Sequence, residues 1–178
     1  NRCRRQRQMC IRDRLRAAFK KDGSVTAGNS SGLNDGAAAM LLSSEEGLKK
    51  FNLKPKARII SSAVVGVEPK IMGIGPVYAS NKALIKANLS LDDMDVIEIN
   101  EAFSAQTLAC IRELKLEDND QRINPNGGAI ALGHPLGMSG TRIIQSAINE
   151  LIRKNKRYAL ITMCIGVGQG YATIIEKI

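Results

Sequence analysis

From Ala57 to the C-terminus the apolar positions switch repeatedly between two spacings. Arg58–Val67, rich in Ile and Val, reads as a strand; Val77–Asn88 reads as a helix with Ala83, Leu84 and Ala87 on one side. Asp95–Ile99 reads as a second strand. Ala102–Leu116 follows as a helix that buries Phe103, Thr107, Cys110, Ile111 and Leu114. The short run Ala129–Leu132 reads as a strand, and Ser139–Lys154 as a helix carrying Ile144, Ala147, Ile148, Leu151 and Ile152. Arg157–Ile165 and Tyr171–Ile178 read as an antiparallel pair joined through a glycine turn. Such alternation predicts a layered α/β domain.

Upstream, the pattern is less regular. Leu15–Lys21 reads as a basic, part-helical entry segment and Asp22–Asn29 as a loop rich in turn residues. Ala37–Leu42 is a continuous apolar run, the pattern of a strand buried on both faces. Ser43-x-x-Glu46 matches a capping box opening a short helix to about Phe51. Leu53-Lys54-Pro55-Lys56 then reads as a linker, because proline disfavours helix at and before its own position.

Charge changes the picture only locally. The net charge is +9, but residues 1–14 hold six arginines and one aspartate; the remainder carries twenty basic against sixteen acidic residues. The excess is therefore a terminal block without helical period or turn logic. It reads as a foreign segment, an adapter-derived sequence joined to a truncated reading frame, and it is set aside from fold reasoning. A basic arm that binds nucleic acid is the rival reading. No apolar run approaches the roughly twenty residues that span a bilayer, so no membrane association is expected.

The cysteines add a compartment and remove a metal. Cys3 and Cys10 lie in the basic block, while Cys110 and Cys164 have neither CxxC spacing nor a second histidine to complete a zinc site. Unpaired thiols suggest a reducing, cytoplasmic setting. Gly166-x-Gly168-x-Gly170 is not GxGxxG, and no GK[ST] closes a glycine-rich loop, so neither a dinucleotide nor a P-loop nucleotide is expected as cofactor.

The candidate chemistry gathers at strand ends. His134, the only histidine, stands between Gly133 and Pro135 in GGAIALGHPLG (Gly127–Gly137). Cys164 ends the apolar run Tyr158–Ile165, and Asn100-Glu101-Ala102-Phe103 follows the run Val96–Ile99. Histidine and cysteine on glycine-bounded loops suit acid–base work. Spacing alone leaves equally open a helix-entry histidine and a small buried cysteine.

Taken in order, NEAF, GGAIALGHPLGxSG and CxG resemble the thiolases, which make or cleave a carbon–carbon bond between acyl-CoA thioesters. AGNSSGLNDGAAA (Ala27–Ala39) is similar to the family's CoA-binding loop and following strand, and PKIMGIGP (Pro69–Pro76) resembles it too. The resemblance runs from about Leu15 to the C-terminus. It implies an α/β fold, a thiolase-like mixed sheet with helices on both faces, forming the C-terminal half of an α-β-α-β-α layered fold with five strands per half. Residues 15–54 would be the tail of the first domain, carrying the CoA-binding loop, and 55–178 the second domain.

The resemblance also assigns roles. Cys164 would be the acid–base thiol, its pKa lowered by an electropositive loop, and the Gly166 N–H an oxyanion donor. His134 would activate the acyl-carrying cysteine and donate to the enolate oxygen. Asn100 would position a water on that oxygen, a role compatible with the alternative of a helix N-cap. Glu101 reads either as a group that orients its neighbours or as a first-turn charge favoured by the helix dipole; the second is preferred. Phe103 and Met72 would line the pantetheine tunnel, Ser31 would hydrogen-bond the pantetheine arm, and Ala27 would pack on it. Each has a plainer alternative in core or loop. Acyl-CoA and CoA would be substrates, no further cofactor is needed, and the whole parent would be a homotetramer, a dimer of dimers. The acyl-carrying cysteine would belong to the first half, and Cys110, mid-helix on a buried stripe, does not replace it. The chain by itself is therefore expected to be inert. SGLNDGAAA and CIGVGQG favour acetyl-CoA acetyltransferase. A degradative 3-ketoacyl-CoA thiolase and a non-catalytic CoA- or lipid-binding module are the alternatives.

Overall fold

The computed structural model describes residues 14–178. The basic block, as far as residue 13, lies outside the described residues.

Four strands make one mixed sheet in the order β1-β4-β3-β2: β1 (Ala57–Gly66), β2 (Val96–Ile99), β3 (Tyr158–Ile165) and β4 (Gln169–Lys177). The β3–β4 hairpin is antiparallel with Cys164 opposite Gly170, and β1 pairs antiparallel with β4 across a bulge near Ser61. β2 runs parallel to β3, with Ile99 opposite Thr162. A parallel neighbour requires a crossover, and the chain between β2 and β3 supplies it.

Helices cover both faces, as the resemblance implies. The short α1 (Glu45–Phe51) buries nothing. α2 (Gly75–Ala87) follows a 3-10 turn at Pro69–Ile74, starts on Pro76 and closes at Asn88 in the left-handed region. It presses Ala79, Ala83 and Leu84 onto Ala63, Ile97, Ile99, Leu160 and Ile174. α3 (Ser104–Glu113) packs beside it through Cys110 and Val77. α4 (Ala129–Leu132) is one turn, and α5 (Ser139–Arg153) lies on the opposite sheet face, where Ile143, Ala147 and Leu151 meet Val96, Ala159, Ile161 and Ile175. Among the described residues no helix is long and apolar enough to cross a membrane.

Several expectations are corrected. Ala129–Leu132 is helical, not a strand: Leu132 N–H donates to Gly128 O, a bond that closes a helical turn. Ala37–Leu42 forms no strand, and Leu41 and Leu42 are exposed. A strand needs a ladder partner, and this segment instead runs beside α5, where Gln145 Nε2 donates to Ala39 O. Leu15–Lys21 is not helical. Ala17 bridges Thr26 around a turn that places Asp22 at φ 61. The cap of α1 is Ser44, which accepts from Gly47 N; the Ser43 hydroxyl bonds Ser44 O instead. On α5 Ala147 and Leu151 are buried as expected, but Ile143 joins them and Ile152 is exposed. The sheet therefore has four strands among the described residues instead of the five expected, with a single parallel bridge, Ile123 to Ile97, beyond β2. Asn124, at φ 42 and followed by Pro125, turns the chain away.

Candidate active site

Register fixes the site. Ile99 lies opposite Thr162, so Asn100 and Cys164 emerge at the same end of two parallel strands, where ligands of α/β sheets collect. The chain beyond β2 is held by Asn124. Its side chain accepts from Ile99 N at 2.8 Å and donates to Ile99 O at 2.9 Å and to Glu101 Oε1 at 3.0 Å. One amide thus stands in for a neighbouring strand. Glu101 passes the constraint on: its Oε2 accepts from Ile130 N at 3.2 Å, tying down α4. Its carboxylate also fills the space that a Cβ on Gly128 would need. Glu101 is therefore an orienting group. The preferred first-turn reading fails because α3 starts at Ser104 with Phe103 as its N-cap. By the same geometry Asn100 is not an N-cap.

α4 delivers Gly133, at φ 94, and then His134. The imidazole is held at both nitrogens: Nδ1 lies 2.6 Å from Ser139 Oγ, and Nε2 lies 3.3 Å from Asn100 Nδ2. The Ser139 hydroxyl donates to Pro135 O at 3.0 Å, so its oxygen accepts from Nδ1–H. That leaves Nε2 as the acceptor of an Asn100 N–H. Burial, and then the Arg142 guanidinium charge, hold His134 below the ordinary histidine range. The ring is accordingly neutral at pH 7. Asn100 is itself buried, and its Oδ1 has no partner among the described residues.

The thiols differ. Burial pushes Cys110 up to about 11, although Gln106 Nε2 bonds its sulfur; Cys110 Sγ donates to Gly73 O. Cys164 is half-buried, and burial raises its pKa as well, the reverse of the lowering expected from the sequence. It hydrogen-bonds neither His134 nor Asn100 among the described residues. Gly166 follows in an exposed turn where an added Cβ would meet nothing within 4 Å.

The upstream loop joins the site. Ser31 N donates to Ala102 O at 3.0 Å, and His134 N donates to Gly32 O at 3.1 Å. This brings Ser31 beside both motifs. Ser30 bridges Phe103, whose ring meets Phe19 edge-on at 5.6 Å. Ala27 lies exposed in the preceding turn, and Met72 is half-buried in the 3-10 turn that packs on α3, β3 and β4. An open groove of about 500 Å³ between α3 and the 118–125 loop reaches Glu101, but it is lined by none of His134, Cys164, Asn100 and Gly166.

A sequence profile described as the thiolase C-terminal domain matches residues 53–177, and one described as the thiolase N-terminal domain matches residues 7–46. The chain belongs to the thiolase family. It is 59% identical over 165 residues to the β-ketoadipyl-CoA thiolase of Acinetobacter baylyi, covering 93% of this chain and 41% of that protein. Against the 3-ketoacyl-CoA thiolase of Klebsiella pneumoniae it is 60% identical over 166 residues, 92% of this chain and 43% of that one. The acetyl-CoA acetyltransferase of Bacillus anthracis superposes with a TM-score of 0.89 at 50% identity, covering 94% of this chain and 42% of that one. The human mitochondrial 3-ketoacyl-CoA thiolase in complex with CoA gives 0.89 at 54% identity, covering 93% and 42%. The thiolase chain thus spans about two fifths of the curated relatives it matches.

Four residues around the candidate site were given no role by the sequence. Glu98 had a signal, a lone charge inside the apolar run VIEI. Asn124 had a weaker one, an asparagine before proline. Ser139 stands inside the motif GGAIALGHPLGxSG but was given no role, and Arg142, on a helix with its own charged face, had no signal distinct from ordinary helix chemistry.

Proposed function

We propose that the chain supplies the acid–base and oxyanion groups of a thiolase that cleaves 3-ketoacyl-CoA with CoA and runs the reverse Claisen condensation. The observation that carries this reading is the Asn100–His134 contact, with the imidazole fixed by Ser139 at the strand end that Cys164 shares. A cysteine from the part of the family fold that the chain does not span loses its proton to His134 Nε2 and attacks the 3-keto carbon. The Gly166 N–H holds the resulting oxyanion. The C2–C3 bond breaks, and its electron pair passes to the thioester oxygen as an enolate. The new Nε2–H and a water on Asn100 stabilise that oxygen, and Cys164 gives its proton to C2 to release acetyl-CoA. The Cys164 thiolate then takes the CoA thiol proton as CoA captures the acyl group, and the acyl-carrying cysteine leaves as a thiolate that regains its proton from His134 Nε2. A raised Cys164 pKa supports this order, because the resting group is then the thiol acid that the first half-reaction consumes. Phe103, Met72, Ser31 and Ala27 would contact the pantetheine arm, and the assembled protein would be a dimer of dimers.

Acetoacetyl-CoA is the proposed substrate, on the wording of SGLNDGAAA and CIGVGQG. A second reading, a longer or carboxylated acyl chain, is favoured by relatives named for β-ketoadipyl-CoA, 3-oxoadipyl-CoA and 3-ketoacyl-CoA. Joining the chain to the leading portion of the Acinetobacter baylyi relative and comparing thiolysis of acetoacetyl-CoA, 3-oxoadipyl-CoA and a long-chain 3-ketoacyl-CoA decides between them. Preference for either longer substrate sinks the acetoacetyl reading, and equal turnover by a Cys164→Ala chimera sinks the acid–base assignment. The chain by itself is expected to show no turnover above a Cys164→Ala control, since groups that act as a unit lose nearly all their benefit when one is absent.

A further inference from the structure

Two buried charges lie beneath the His134 loop without a direct partner. Glu98 is 1% exposed, and its Oε1 has no hydrogen-bond partner among the described residues. Because Ile97 and Ile99 join the core under α2, Glu98 shares with Val96 the sheet face covered by α5. Arg142 enters the same layer from α5. All three of its guanidinium nitrogens are shielded from solvent, and none has a partner among the described residues. Arg142 lies one turn beyond Ser139, the residue that holds His134 Nδ1.

Buried polar groups in native proteins are satisfied, and ordered water does so where protein groups do not. A guanidinium and a carboxylate that share a layer without touching fit that description. The other charges near Glu98 are engaged elsewhere. Glu101 is held by Asn124 and Ile130 N, and Glu150 by Asn126, Arg153 and Lys154. Burial first, and then repulsion from Glu101 and Glu150, push Glu98 up to about 7 despite the attraction of Arg142. At neutral pH its negative charge is thus only partly present, and the Arg142 charge is left partly uncancelled. His134 feels it.

We propose that Arg142 is a positioning residue for His134: bridged by water to Glu98 across the β2–α5 interface, its guanidinium charge keeps the ring neutral, so that Nε2 stays open to accept a proton. The proposal rests on the reading of His134 as the acid–base group, but its test does not need turnover. His134 is the only histidine, so its ring nitrogens give unambiguous NMR signals in the whole chain. Their titration is followed in the unmodified chain and in Arg142→Met, Arg142→Lys and Glu98→Gln.

Removing the positive charge in Arg142→Met raises the His134 midpoint. Arg142→Lys keeps the midpoint near its unmodified value. An unchanged midpoint in a folded Arg142→Met, or equal shifts in the Met and Lys variants, overturns the proposal in favour of space-filling. Should Arg142→Met not fold, Glu98→Gln decides, because it removes the partial counter-charge and lowers the midpoint further; no shift, or a rise, overturns the proposal. In the chimera, Arg142→Met moves the acidic limb of kcat/KM upward by the same amount. Titration shifts without a matching limb would mean that Arg142 acts on His134 while the acid–base assignment of His134 is wrong.

Discussion

Asn124→Ala tests whether one amide holds the site together. The substitution removes three hydrogen bonds, to Ile99 N, Ile99 O and the Glu101 carboxylate. Two neutral bonds contribute about 1 kcal/mol each and the charge-assisted one about 2 kcal/mol, an upper sum of roughly 4 kcal/mol. Asn124 is only part-buried, so water regains some of these contacts and the loss falls to about 2–3 kcal/mol. Alanine at φ 42 adds a strain of about 1 kcal/mol that asparagine tolerates better. A total of about 3–4 kcal/mol is a large share of the ~5–15 kcal/mol that holds a domain. Urea unfolding followed by far-UV circular dichroism measures it, with Asn124→Gly as the control that removes the bonds without the strain. A loss below about 0.5 kcal/mol in both variants would refute the reasoning, because the β2 end would then hold itself. The His134 ring signals supply a second readout: freeing Glu101 releases α4, and the single tautomer should give way to a mixture.

Glu150→Gln should cost about 1–2 kcal/mol at pH 7, discounted because Arg153 and Lys154 are largely exposed. Burial alone would raise the Glu150 pKa, but bonds from Lys154, Arg153 and Asn126 bring it to about 2. The depressed group stabilises the fold above the unfolded carboxylate pKa. Its advantage over the glutamine variant should therefore fade as pH falls from about 4.5 toward 2; a constant gap in acid denaturation contradicts the pairing. Iodoacetamide labelling read by peptide mapping should modify Cys164 well before Cys110, whose thiol ionises only near pH 11; equal rates at pH 8 count against the buried α3 position. Gly170→Ala should cost about 2–3 kcal/mol in urea unfolding, since its Cβ would overlap the Gly75 backbone at the start of α2. Gly166→Ala, in open space, should cost under about 0.5 kcal/mol; equal losses would mean that the close approach of Gly170 and Gly75 does not matter.

Local pattern determined β1, α2, α5 and the β3–β4 hairpin, because each carries a long period bounded by proline, glycine or asparagine. The family-like motifs, rather than the apolar pattern, singled out His134, Asn100 and Cys164 as candidates without any knowledge of the fold. Tertiary structure decided what has no local cause. A four-residue apolar run such as Ala129–Leu132 suits helix or strand equally, and the hydrogen bond to Gly128 O chose helix. Ala37–Leu42 has the composition of a buried strand, yet strand identity depends on a ladder partner, and the segment lies along α5 instead. The direction of the Cys164 pKa shift was likewise out of reach, since its cause is burial under chain distant in sequence. The contacts of Glu101, Ser139 and Arg142 were out of local reach as well. Their residue types are ordinary, and only the closing of β2, α4 and α5 around one histidine gives them something to hold.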